Sequence, residues 1–142
     1  MTEISYTVAD KYLANTIERD LERFAGEWQK DETIGTREPI AAFCDVMLRG
    51  GKRLRGMLAM QSYFAHGGQN EAVALGAARV FEILQTSLLV VDDIADRSRL
   101  RRGGLSAHVL LEDDAKKQNM KIEPYHFGVA QAMNVAYAGL HK

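Results

Sequence analysis

Phe81–Gly104 reads FEILQTSLLVVDDIADRSRLRRGG, and the order of its parts decides how the rest of the chain is read. An uncharged run of nine residues, Ile83 to Val91, is closed by Asp92, Asp93 and Asp96, and then by Arg97, Arg99, Arg101 and Arg102. On a helix, Asp92 and Asp96 lie one turn apart on one face with Asp93 beside them. Seven residues upstream on the same stripe stands Gln85, with Leu88 and Leu89 between. Like charges this close repel one another and call for a counter-ion. A solvated acidic helix end is the plain alternative, but three acids directly after so apolar a stretch favour a ligand site. Carboxylates on a rigid helix suit Mg²⁺, a hard ion usually held by one or two of them, with phosphate oxygens and water completing its shell.

A second cationic cluster lies upstream, RGGKRLR at Arg49 to Arg55. Its glycines permit a left-handed turn or close approach. Lys52, Arg53 and Arg55 then open a helix whose free backbone N–H groups favour an anion. A basic run at a helix start is commonly a solvated face; its pairing with the acidic cluster is what raises it to a candidate. Arginine suits bidentate phosphate contacts and keeps its charge in any surroundings. Acid, base and oil in one short chain point to a metal-bound diphosphate on a hydrocarbon tail.

Helix signals dominate the remainder. Leu13, Ile17, Leu21, Phe24 and Trp28 recur at helical spacing and predict a helix over Val8–Lys30, with Thr7 and Asp10 resembling a cap. A loop through Ile34 and Gly35 precedes a second helix, with Pro39 in its first turn and a stop near Gly50-Gly51. A third helix spans Lys52 to Phe64 and ends at His66-Gly67-Gly68. The fourth runs from Asn70 to Arg99, apolar nearly all round at its centre and so expected to be surrounded by others. Arg102 to Gly104 starts a loop, Leu105 to Leu111 forms a short helix, and LEDDAKKQNMKIEP reads as a polar surface connection before a last helix over Tyr125–Leu140. The architecture expected is all-α, a single domain over residues 1–142.

Composition sets limits. The chain has 142 residues, 46% of them hydrophobic, and a formal charge of -1, so no global field attracts nucleic acid or an acidic membrane. Binding nucleic acid through Arg97 to Arg102 would leave the three aspartates repelling phosphate. The single cysteine, Cys44, sits in an apolar pattern and is expected to be buried and inert. The first residues lack a basic head before an apolar run, and Ile83–Val91 is far shorter than the roughly 20 residues that span a bilayer. A cytoplasmic protein without a transmembrane segment is expected.

Three motifs in order, Gly50-Gly51-Lys52-Arg53-Leu54-Arg55, Asp92-Asp93-Ile94-Ala95-Asp96 and Arg101-Arg102-Gly103, resemble the early motifs of the trans-isoprenyl diphosphate (polyprenyl) synthases. The resemblance is strong over Gly50–His108. It implies an isoprenoid-synthase-type helical bundle, normally a homodimer, whose members condense isopentenyl diphosphate with an allylic diphosphate. It further implies that Asp92 and Asp96 ligate Mg²⁺ with Asp93 supporting them. Arg101 would bind the allylic diphosphate, and Lys52, Arg55, Arg102 and Gln85 would hold isopentenyl diphosphate. Arg53 matches the substrate-binding motif with a less definite role. The positions that govern product length fall on Ser87 and Leu88. A small Ser87 suggests a product longer than farnesyl, such as geranylgeranyl diphosphate. His108 could donate to a phosphate or serve a structural hydrogen bond.

Members of that family are longer and carry a second aspartate-rich motif; Glu112–Lys116, EDDAK, is not expected to replace it. The resemblance therefore implies the N-terminal half of a synthase, inactive alone. The alternative is a non-catalytic helical subunit or prenyl-diphosphate-binding module that needs a partner.

Overall fold

The stripe Leu13, Ile17, Leu21, Phe24 and Trp28 folds into helix α1 (Val8–Lys30), and its last four members are buried. The computed structural model describes residues 8–30 and 37–142, so the Thr7 cap and the Ile34-Gly35 loop lie outside the described residues. Helix α2 (Arg37–Leu48) carries Pro39 in its first turn and buries Ile40, Phe43, Cys44, Val46 and Met47. Phe43 meets Trp28 edge-on at 5.5 Å between centroids, which fastens α2 to α1. Burial pushes the Cys44 thiol up to about 11, against a weaker downward pull from Gln29, so it is a packed side chain and not a nucleophile.

Helix α3 (Leu54–Ala65) stops where expected. Gly67 adopts φ +85°, its N–H reaches the Phe64 carbonyl, and the Gly68 N–H reaches that of Tyr63. Asn70 then caps α4 (Glu71–Ala95), its side-chain oxygen accepting from the Ala72 and Val73 N–H groups. The long helix ends at Ala95, short of the expected Arg99. Arg97 takes a left-handed φ of 54°, and its N–H and that of Ser98 turn back onto the Ile94 and Asp93 carbonyls. This is the termination glycine usually provides, here imposed on an arginine.

The expected loop is a small antiparallel hairpin, β1 (Leu100–Arg101) and β2 (Gly104–Leu105), the one sheet among the described residues. Arg102 and Gly103 both have positive φ, as a two-residue type I′ connection requires. Ser106 closes its base, donating from Oγ to the Ser98 carbonyl and from its N–H to that of Arg99. Helix α5 (Ala107–Lys117) is longer than expected and takes in EDDAK. Those residues therefore lie on a helix with an apolar lead-in, not in a polar connection. Glu112 is buried there and paired with Lys116. Helix α6 (Pro124–Gly139) completes the expected all-α bundle.

Helix α4 lies at the centre, packed by α1, α2, α3, α5 and α6. By length and composition it is apolar enough to cross a membrane, although Ile83–Val91 alone is too short. Its buried stripe carries Glu82 and Asp93, each ion-paired to an arginine from another element, which is how a core helix accommodates charge. The helix is not surrounded on every side. Val80, Phe81, Leu84, Leu88 and Val91 remain exposed along one face, with Leu54 and Leu58 of α3 beside them.

Helices α5 and α6 touch backbone to backbone at Gly128. A Cβ there would lie 2.8 Å from the Glu112 nitrogen and closer still to the His108 carbonyl oxygen. Gly128→Ala is expected to lower stability by about 1–3 kcal/mol through overpacking, read as a lower midpoint in denaturant with the slope unchanged.

Candidate functional site

The site is assembled where the end of α4, the α2–α3 loop and the hairpin meet. Asp93 points inward and is fully buried; the Arg101 Nε donates to its Oδ1 at 2.8 Å, and Nη2 donates to the same oxygen. That hydrogen bond, ahead of the opposing effect of burial, holds the Arg101 guanidinium more firmly protonated than usual. The same Nη2 lies 3.6 Å from Asp92 Oδ2, and the Asp92 side chain is 59% exposed. Asp96, the last cap residue of α4, is also exposed.

The hairpin reaches the other way as well. Arg102 donates from Nη1 to the Gly50 carbonyl, and its guanidinium lies so close over Gly51 that a Cβ would come within 3.2 Å. Burial first, then the neighbouring charge of Arg53, pushes Arg102 down from the ordinary guanidinium value. Arg49, at the C-terminal end of α2, clamps the hairpin through the Arg101 and Leu105 carbonyls at 3.0 and 2.7 Å. The acidic turn and both basic clusters thus belong to one structure. Lys52 and Arg55 flank the loop, exposed and tied by no hydrogen bond or ion pair among the described residues.

Beside them lies a largely apolar cavity of about 600 Å³ between α3 and α4. Arg55, Leu58, Phe81, Leu84, Gln85 and Leu88 are among the residues that line it. Arg55, Gln85 and Leu88, all singled out from the sequence, therefore share one wall. Ser87 does not. It is buried on the opposite side of α4, where its hydroxyl donates to the Ala136 carbonyl of α6 at 3.0 Å. The expectation that Ser87 opens the tail path is corrected, because its side chain is buried against α6 while Leu88 faces the cavity.

Arg53 also sits elsewhere than expected. Its guanidinium is buried and spent on protein groups: Glu18 through Nε and Nη2 at 2.8 and 2.9 Å, Glu82 at 3.1 Å and the Met47 carbonyl at 2.9 Å. Four of its five N–H donors are taken and its side chain is 1% exposed, so the substrate-binding role expected of it is withdrawn. Glu18 and Glu82 went unnoticed in the sequence. The signal was there for Glu82, a charge on the stripe Glu82, Thr86, Val90, Asp93 that faces the core.

His108 is buried and edge-on to Tyr125, in a pocket it shares with Arg97 and Arg99. Its Nδ1, Asp93 Oδ2 and Glu112 Oε2 are sealed without hydrogen-bond partners among the described residues. Burial lowers the His108 pKa below the ordinary imidazole value; Asp93 and Glu112 pull the other way.

Asp92 and Asp96 fit a hard divalent cation, being exposed carboxylates one turn apart on a rigid helix. Asp93 does not, since it is fully buried and Arg101 holds its Oδ1. Among the described residues no three acidic, histidine or cysteine side chains converge on one point, so an ion here would need oxygens from a ligand as well.

Residues 37–140 match the protein-family model described as Polyprenyl synthetase. A geranylgeranyl pyrophosphate synthase of Arabidopsis thaliana, mitochondrial, is 36% identical over 86 residues, covering 56% of this chain and 25% of that protein. An all-trans-nonaprenyl-diphosphate synthase of Rhodobacter capsulatus is 40% identical over 63 residues, 44% of this chain and 19% of its own length. The crystal structure of geranylgeranyl pyrophosphate synthase from Corynebacterium glutamicum, complexed with isoprenyl diphosphate and magnesium, superposes with a TM-score of 0.75 at 28% identity. It covers 91% of this chain and 38% of that one. The chain thus spans well under half the length of these relatives.

The buried imidazole makes stability depend on pH. Its folded pKa is lowered, so its contribution is complete above the ordinary value of about 6.5 and is lost as pH falls through the lowered one. Denaturant midpoints are expected to drop between about pH 7.5 and pH 5, and His108→Gln should flatten part of that drop.

Proposed function

The chain belongs to the polyprenyl synthetase family, and from that premise we propose that it forms the diphosphate-ionising side of a trans-prenyltransferase. The reaction is condensation of isopentenyl diphosphate with an allylic diphosphate. The observation that carries this reading is the hairpin: Arg101 reaches the acidic end of α4 while Arg102 reaches the Gly50-Gly51 loop, beside an apolar cavity.

Asp92 and Asp96 would hold the magnesium ion, whose positive charge, when bound, favours departure of the allylic diphosphate. Asp93 holds Arg101 in place, leaving its cationic edge toward that diphosphate. Lys52, Arg55, Arg102 and Gln85 receive isopentenyl diphosphate at the mouth of the cavity. Cationic groups already in position lower the cost of charge that develops as the C–O bond breaks. Leu58, Leu84 and Leu88 keep water from the allylic cation, and the alkene of isopentenyl diphosphate attacks it. The released diphosphate takes the proton. No side-chain base is needed.

The tail runs along α4 away from Asp92, past Leu88 and Leu84 to Phe81. Those eleven residues of helix span about 16 Å. Product length is governed by that wall, and the geranylgeranyl product suggested by Ser87 loses its argument. The open face of α3 and α4 favours completion of the cavity by further helices, in one polypeptide or in a partner subunit; homodimerisation would follow the family.

Condensation is expected from a complete synthase into which residues 37–140 are grafted over the matching stretch, and not from the 142-residue chain alone. Turnover is measured with isopentenyl diphosphate, an allylic primer and Mg²⁺. In the graft, Asp92→Ala should reduce turnover by about 10²–10³-fold with helicity retained. A graft that tolerates Asp92→Ala would contradict the metal role, and turnover by the chain alone would contradict the half-site reading.

A further inference from the structure

Arg53 adopts a left-handed backbone, φ 49° and ψ 27°, at the N-cap of α3, a conformation an arginine takes only when its surroundings enforce it. The enforcement is visible. Glu18 of α1 grips the guanidinium in a two-pronged pair, Glu82 of α4 takes a third hydrogen bond, and the Met47 carbonyl of α2 takes a fourth. The other oxygen of Glu82 accepts the Gly56 N–H at 3.1 Å. Gly56 is itself so close that a Cβ would meet Ile17 and Glu82 at 3.1 and 3.2 Å. The segment bearing Lys52 and Arg55 is therefore pinned from three helices at Arg53 and Gly56, while Lys52 and Arg55 remain exposed and have no ion pair among the described residues.

Charge adds a second reason. Glu18 and Glu82 bring two negative charges to one arginine, and both also act favourably on the charge of Arg102, docked on Gly50 and Gly51. Glu18 precedes the residues matched by the family model, so that match assigns it nothing.

We propose that Arg53, Glu18 and Glu82 are positioning residues: the Glu18–Arg53–Glu82 triad, buried at Arg53 and Glu82, sets the Gly50–Arg55 loop so that Lys52, Arg55 and Arg102 converge on one diphosphate. The inference rests on the diphosphate-binding reading above. It makes α1, which touches no substrate, a determinant of anion affinity.

The test is calorimetric titration of the 142-residue chain with inorganic diphosphate and Mg²⁺, comparing wild type, Glu18→Gln and Glu18→Asp. Removing a negative charge near an anion site should by Coulomb's law alone tighten binding. The triad instead requires Glu18→Gln to weaken it, by about tenfold, with helicity unchanged by circular dichroism. Glu18→Asp keeps the charge but shortens the reach, and should weaken binding in the same direction, which covers the case of a poorly folded Glu18→Gln. Equal or tighter binding by folded variants overturns the positioning role while leaving the diphosphate site standing. Failure of the folded wild type to bind diphosphate removes the site reading and the inference together.

Discussion

A carboxylate sealed from water inside a helical bundle needs a cation, and the rest of the site follows from how Asp93 obtains one. Without Arg101 its buried charge would cost several kcal/mol. The partner lies eight residues further on, so the chain must reverse immediately after α4. The left-handed Arg97 and the two-residue turn at Arg102-Gly103 make that reversal. Once Arg101 is seated, Arg102 projects back over Gly50-Gly51, and the two cationic clusters become neighbours. Asp92 and Asp96, one position before and three after, are left facing outward.

Strain collects at the same place. Among the described non-glycine residues, positive φ occurs at Arg53, Arg97, Arg102 and Asn119, and the three arginines all border the site. Asn119 merely ends α5, a role asparagine fills readily. A left-handed arginine costs of order 1–3 kcal/mol and persists where surrounding contacts outweigh it. At Arg53 these contacts are Glu18, Glu82 and Met47; at Arg102, the Gly50 carbonyl. The family's glycine-rich and arginine-rich motifs thus read as two halves of one clamp.

Much of this was legible in the sequence where periodicity carried the information. The apolar stripe of α1 and the shared face of Gln85, Leu88, Asp92 and Asp96 follow from a period of 3.6, and the stop at His66-Gly67-Gly68 follows from glycine at a helix end. Side-chain pairing is not periodic, and there the reading failed. Arg53 looks like Lys52 and Arg55 in a basic run; only the packing of α1 and α4 reveals that it points inward. The resemblance places Ser87 beside Leu88 at the length-governing positions, yet one position along a helix is 100° of rotation, and here it turns Ser87 to α6. The end of α4 was overrun because a left-handed arginine is uncommon enough that no sequence rule anticipates it.

The proposed chemistry requires the acidic turn and the Gly50–Arg55 loop to serve one metal-diphosphate ligand. Paramagnetic broadening of backbone amide signals in the 142-residue chain tests this directly, with Mn²⁺ added before and after inorganic diphosphate. The expected result is that diphosphate makes Mn²⁺ broaden Asp92–Asp96 and Gly50–Arg55 together. Broadening centred on Asp113 and Asp114, or confined to the acidic turn whether or not diphosphate is present, would contradict it.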